Sequence, residues 1–354
     1  MVLQPCMKIM EYKMKKFFLE NDEFIILMSH NQYRTQDSGD NYHVYDVGER
    51  TALREVGIKT SHEQPAWNIL NPQKDVYDFD YLNKIIDINR QAGMKSLIQI
   101  SGWRNPAWMP DEWFCKTKDG NIERECLSFW NEKAEKYSDD YYKLMIQAYK
   151  DYDDVRFFFG EFQGGEGALR PTWCIYDNSA LQNYKEWYGN DAEPNPNNPE
   201  TIYWLGESIK KHFVMKAKIF YDAYGEIWNC QQKLMDNWSK AFGNFVQFDT
   251  LRFFKVIWPD IKIYLLQYTY FDGSHGQDNV EFVDRIKNEL GAEVIVEAMF
   301  ASGLPTTAPR SIAKGFRGQI LHPTMQSFSG EGLNQTILQN IKNAQTQWME
   351  SRGL

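Results

Sequence analysis

Short apolar runs alternate with amphipathic helical stretches along the 354 residues; seven strands can be counted, and an eighth is needed between the fourth run and Ile261. Repeated strand–helix units of this kind predict an α/β chain with a parallel sheet. Eight of them in one stretch of this length favour a closed (β/α)8 (TIM) barrel, a single domain over residues 1–354, over an open doubly wound sheet. No GxGxxG follows the first run and no GxxxxGK[ST] occurs, which removes the usual phosphate cradles of the open-sheet alternative.

The strands are expected at 24–29 (FIILMS), 57–61 (GIKTS), 94–100 (MKSLIQI), 155–159 (VRFFF), 226–231 (EIWNCQ), 261–267 (IKIYLLQ), 293–296 (EVIV) and 318–321 (GQIL). Most are short continuous apolar runs, as befits strands covered on both faces. The run at 226–231 is chosen because a fifth strand is needed there. Between them, Leu82, Ile85, Ile86 and Asn89 sit at helical spacing, with Gly93 just past the end. Residues 202–221 read as a further helix. Asp278 and Glu281 form a capping-box pattern ahead of Val283, Ile286 and Leu290, and Gly291 closes that helix. Leu333, Ile337, Ile341, Ala344 and Trp348 mark a closing helix. The Pro-rich stretch 190–200 reads as a loop within the domain.

Composition narrows the function classes. Apolar residues make up 43% and charged residues 25%, an ordinary globular balance. Lys and Arg number 39 against 48 Asp and Glu, a net charge of −9 with no basic block, so no nucleic-acid partner is expected. No run of 18 apolar residues occurs, so no membrane partner is expected either. The first residues show no secretory pattern, and a cytoplasmic location is the expectation. Cys6, Cys115, Cys126, Cys174 and Cys230 form no CxxC pair, which fits a reduced compartment and mostly inert thiols.

In a (β/α)8 barrel the chemistry lies at the C-terminal ends of the strands. The residues found there are His62, Glu63 and Trp67 after the second run, and Trp103, Arg104, Asn105 and Trp108 after the third. The fourth run is followed by GEFQGGEGALRPTW, with Glu161, Glu166, Arg170 and Trp173. Tyr268, Glu297 and His322 follow the later runs. Two carboxylates stand out: Glu166 in a glycine-rich turn and Glu297 at the end of EVIVE. Strands four and seven face each other across a barrel mouth. Such a pair suits glycosidic bond cleavage, where one carboxyl arrives protonated for the leaving oxygen and the other is ionised. Glu161 is the alternative strand-four carboxylate. The aromatic fraction of 15% matters here, because Trp67, Trp103, Trp108 and Trp173 in strand-end segments offer flat faces to the C–H faces of sugars. His62 and His322 are expected to donate hydrogen bonds to hydroxyl groups. His30 and His275 also fall near strand ends, but no HxH, HExxH or Cys/His cluster accompanies them, so no metal and no cofactor is expected.

These segments carry a resemblance. Pro65-Ala66-Trp67-Asn68-Ile69-Leu70-Asn71-Pro72, then Val76-Tyr77-Asp78-Phe79, Leu82 and Gly93-Met94-Lys95, resemble a stretch of the retaining clan-A glycoside hydrolases. Asn105-Pro106-Ala107-Trp108-Met109-Pro110 with Asp119-Gly120 resembles a segment of their β-galactosidase-like members. GGEGALRPTW is similar to the turn that carries the acid in β-amylases. The resemblance covers roughly residues 57–187 and implies a glycosidase acting on a β-linked glycoside or oligosaccharide, with a carbohydrate substrate as partner. It implies Glu166 as acid/base and Glu297 as nucleophile. Gly165 stands where clan-A enzymes usually carry Asn, and β-amylases invert. An inverting enzyme with Glu297 as general base, and a non-catalytic carbohydrate-binding barrel, therefore stay open as alternatives.

Overall fold

The computed structural model describes residues 19–29, 46–100, 104–159, 174–189, 192–195, 197–231, 251–267, 278–322 and 333–354. At 159, 227–231, 265–267, 278–283, 297–300 and 322 it describes the backbone only. In chain order the strands are β1 (Ile25–Ser29), β2 (Thr60–Glu63), β3 (Lys95–Ile100), β4 (Phe114–Lys116), β5 (Ile122–Leu127), β6 (Val155–Phe159), β7 (Glu226–Gln231), β8 (Lys262–Gln267), β9 (Glu293–Phe300) and β10 (Gly318–His322). Eight of them close into a barrel in the order β1-β10-β9-β8-β7-β6-β3-β2, every pair parallel. The remaining two, β4 and β5, form an antiparallel hairpin beside it. The fifth strand falls where the sequence called for it. No helix among the described residues is long and apolar enough to cross a membrane.

Closure is made by β1 on β10, with Ile25 opposite Gln319 and Leu27 opposite Leu321. The Gln319 amide donates to the Phe24 carbonyl at 2.7 Å. Gly318 makes this approach possible, because a Cβ there would stand 2.5 Å from the Phe24 oxygen. Within the barrel, Ile26, Met28, Leu97, Phe158, Ile295 and Ile320 form one apolar cluster. Their sequence neighbours Ile98, Phe157, Val294 and Val296 belong to a second cluster, which they share with helix residues Leu82, Ile86, Met145 and Phe220. The period of two thus sorts each strand into an axial face and a helix-facing face.

Around the barrel lie α1 (Val47–Glu55), α2 (Trp67–Leu70), α3 (Asp80–Gln91), α4 (Glu132–Tyr149), α5 (Asn178–Tyr188) and α6 (Pro199–Tyr224). Helices Asp278–Leu290, Leu304–Ala313 and Gln335–Arg352 follow. Helix α1, not expected from the sequence, starts with a complete capping box between Asp46 and Glu49. It ends at Gly57, whose φ of 106° lets the Gly57 and Ile58 amides bond back to Arg54 and Leu53. That turn consumes residues assigned to the second strand, so β2 begins at Thr60. His62 and Glu63 are therefore strand residues and do not follow the strand. Similarly β9 runs four residues past its expected end, and Glu297 lies inside it.

Helix α1 brings Arg50 into full burial between the barrel and α3. Its Nη1 donates to Glu63 Oε1 at 2.7 Å, Ser61 Oγ at 2.8 Å and Asn89 Oδ1 at 2.5 Å. Asn89 Nδ2 donates in turn to Glu63 Oε1 at 2.8 Å and Ser96 Oγ at 2.9 Å. Burial pushes the Glu63 carboxyl upward, but the Arg50 charge and the bonds from Ser61, Asn89 and Arg50 outweigh it and hold it below the ordinary range. A buried pair is sustained only when such extra bonds complete it.

Glu23, at the opposite end of β1, is buried with weaker compensation: the Lys59 amide donates to its Oε1 at 3.2 Å. Desolvation raises its carboxyl to about 7, against lesser opposing effects from Thr60, Lys95, the Glu20 amide and Arg317. The folded acid keeps its proton to about pH 7, whereas an ordinary Glu releases it near 4.5. Stability from this group is therefore lost as pH rises across that window and is level above it. Glu23→Gln is expected to remove this slope. Melting temperatures of the variant and the wild type should lie close together at pH 5, and the variant should be the higher at pH 8. Equal differences at both pH values would contradict it.

Candidate active site

The axial face of β2 and β3 carries a polar group near the C-terminal end of the barrel. His62 faces inward, its ring 5.0 Å from that of Phe158. Gln99 has the parity of Leu97 and lies one residue before the end of β3. Gln99 Oε1 accepts from His62 Nε2 at 3.0 Å and from Gln64 Nε2 at 2.7 Å. All three side chains are buried. Gln64 and Gln99 were not among the expected site residues. The available signal was a polar residue at the axial parity of an apolar strand, in IQI.

Glu63, next to His62, points the other way, into the Arg50 network. The expectation that it binds substrate is corrected by this placement: starting β2 at Thr60 turns Glu63 toward the helices. Trp67 is likewise corrected. It opens α2, is fully buried, and stacks on Tyr141 of α4 with ring centroids 4.4 Å apart and planes at 13°. Residues 67–70 form a helical turn that folds the indole under α4, so it is a core group.

Arg104, Asn105 and Trp108 are half-buried. Arg104 has a left-handed φ of 56°, and its carbonyl accepts from the Asn68 amide at 2.9 Å. Asn105 Nδ2 donates to the Arg124 carbonyl of β5 at 3.0 Å. Trp108 Nε1 donates to the Asn71 carbonyl at 3.0 Å, and its ring meets Trp113 and Tyr137 edge-on at 6.3 and 5.1 Å. These residues lock the segment after β3 onto the hairpin and onto α2.

Glu297 stands in β9, and its neighbour in β10 is Ile320. It is two residues beyond Ile295, an axial position. His322 closes β10 after a register shift and is paired with Phe300. Trp103, Glu161, Glu166, Arg170, Trp173, Tyr268, His30 and His275 lie outside the described residues.

Among the described residues no group of three or more His, Cys, Asp or Glu is arranged to hold a metal ion. Cys115, Cys126 and Cys174 form a buried cluster without a disulfide. The Sγ atoms of Cys115 and Cys126 are 3.3 Å apart, and that hydrogen bond, with burial, pushes the Cys115 thiol well above its usual range.

Residues 48–157 match the model of glycoside hydrolase family 42, described as beta-galactosidase. A comparison with curated proteins found no match. Among solved structures, the catalytic domain of the β-amylase from Paenibacillus polymyxa is similar at 16% identity and a TM-score of 0.68, over 92% of this chain and 98% of that one. The β-galactosidase from the psychrophilic Marinomonas ef1 is similar at 11% identity and a TM-score of 0.67, over 94% of this chain. A β-galactosidase from Halorubrum lacusprofundi gives 12% and 0.66, over 92% of this chain. The chain spans 60% and 58% of the length of these two β-galactosidases. The family match covers the first strand–helix units alone, and the likeness to the solved structures shows the shared (β/α)8 barrel; both agree with the resemblance drawn from the sequence.

The placement of Trp67 has a direct consequence. Trp67→Ala should lower the stability toward urea by about 3–5 kcal/mol, the usual cost of emptying an aromatic core site. The KM of the fraction that remains folded should stay near the wild-type value. A raised KM with unchanged stability would return Trp67 to the substrate site.

Proposed function

We propose that the chain hydrolyses a β-linked glycoside or oligosaccharide through two carboxylates, with Glu297 as the nucleophile and Glu166 as the acid/base. The observation that carries this reading is the register of β9, which gives Glu297 the axial parity of Ile295 toward the C-terminal end of the barrel. The family match over residues 48–157 lends it a β-glycosidase context.

In this reading the Glu297 carboxylate attacks the anomeric carbon while the Glu166 carboxyl gives its proton to the departing oxygen. Glu166, now ionised, then takes a proton from water, which displaces the sugar from Glu297. The two groups need opposite protonation states at one pH, which different burial and mutual repulsion can provide. His62, Trp103, Arg104, Asn105, Trp108, Glu161, Arg170, Trp173, Tyr268 and His322 remain the candidates for holding the substrate around this pair. The carbohydrate is the partner this chemistry requires. The likeness to a β-amylase over nearly all of that domain, together with GGEGALR, favours inversion as the second reading. The anomer formed first, followed by proton NMR, separates the two.

Glu166→Gln and Glu297→Gln are each expected to keep the wild-type circular dichroism spectrum. Each should lower kcat on an unactivated glycoside by at least about 10²–10⁴-fold. Glu166→Gln should recover part of its rate on an aryl glycoside whose phenol needs no proton to leave. Near-normal rates from either variant on the unactivated substrate would remove that residue from the mechanism.

A further inference from the structure

The His62–Gln64–Gln99 group is the strongest unassigned feature of the described barrel interior. Gln99 Oε1 takes two donors, His62 Nε2 and Gln64 Nε2, at 3.0 and 2.7 Å. These two bonds occupy both lone pairs of the oxygen and fix which way the carboxamide faces. Its Nε2 is thereby aimed away from the two residues that hold it. Among the described residues nothing accepts a hydrogen bond from that nitrogen. Gln99 is only 5% exposed as a residue, but its Nε2 is not fully buried, so that nitrogen is open to a small acceptor. An amide donor fixed in place and left without a protein acceptor is available to a ligand that supplies one. The register adds location: Gln99 pairs with Phe158 of β6 and stands one residue from the end of β3, above the apolar layer of Leu97, Ile26 and Ile320. Active groups of a barrel gather at this level.

We propose that Gln99 is a substrate-binding residue whose Nε2 donates to a hydroxyl oxygen of the sugar held at the barrel axis, with His62 and Gln64 as positioning residues. This rests on the glycosidase reading and names a contact within its substrate site. A hydroxyl oxygen is the acceptor a neutral donor of this kind suits. Two neighbours already hold the amide, so little side-chain freedom is lost when the sugar arrives.

The test is a cycle between the side chain and the substrate. kcat/KM is measured for wild type and Gln99→Met on 4-nitrophenyl β-D-galactoside and on its 2-, 3-, 4- and 6-deoxy forms. Gln99→Met should lose roughly 10- to 100-fold on the parent sugar. One deoxy sugar should lose a similar factor with wild type and nothing further with Gln99→Met, since both changes delete the same bond. A merely structural role would multiply the two losses for every deoxy sugar, and that result, or no loss on the parent, would overturn the proposal. If Gln99→Met does not fold by circular dichroism, Gln99→Glu removes the same donor with the shape kept, and the same cycle is read. Turnover by wild type with an unchanged variant overturns only the role of Gln99. Absence of turnover on the parent sugar and on 4-nitrophenyl β-D-glucoside overturns the β-glycosidase reading and this contact with it.

Discussion

The pairing of β1 with β10 is the constraint from which the other features follow. Once these strands hydrogen-bond, the sheet has no edge, and every barrel residue faces either the axis or the helices. Gly318 is required at the seam because the Phe24 carbonyl occupies the space of a side chain. Closure fixes the axial parity of Met28, His62, Gln99, Phe158, Ile295 and Ile320 together. It also sets Glu297 in register with Ile320 across the β9–β10 pair. A slip of one residue in any strand would exchange its axial and helix-facing sets.

The adjacent residues His62 and Glu63 show what this parity decides. Both are polar and fully buried. Glu63 faces α1 and α3, where Arg50 and Asn89 answer its charge, and there it serves to fasten two helices to the barrel. His62 faces the axis, where it orients Gln99. Burial and polarity alone do not distinguish a fastening group from a site group. The face of the strand does.

The alternation of strands and helices was legible because buried parallel strands are short apolar runs and the helices before them end at glycines such as Gly93 and Gly291, both of positive φ. The bounds of β2 were less legible. Ile58 is apolar and reads as a strand residue, yet its amide closes the C-terminal turn of α1. The carboxyl end of β9 was hidden for a related reason, since Glu297 interrupts an apolar run and looks like a terminus. Helix α4 was missed because its buried face mixes Glu135 and Ser138 with Tyr141, Tyr142, Met145 and Tyr149, so no plain aliphatic stripe marks it. Trp67 reads as a sugar platform from its place after a strand. Only the turn of α2, which stacks it on Tyr141, reveals it as core. Gln99 was passed over because one polar residue inside a strand has no motif to announce it.

The central claim is that Glu297 of β9 carries the covalent step. Incubation with a 2-deoxy-2-fluoro-β-glycosyl fluoride, followed by intact mass and peptide mapping, tests it most directly. The fluorine slows both steps and the fluoride leaves without a proton, so the sugar accumulates on the nucleophile. The account expects one added sugar per chain, located on Glu297 and released slowly by water. An enzyme that turns over its glycoside but takes the label at another carboxylate, or takes none while inverting the anomeric centre, would contradict it.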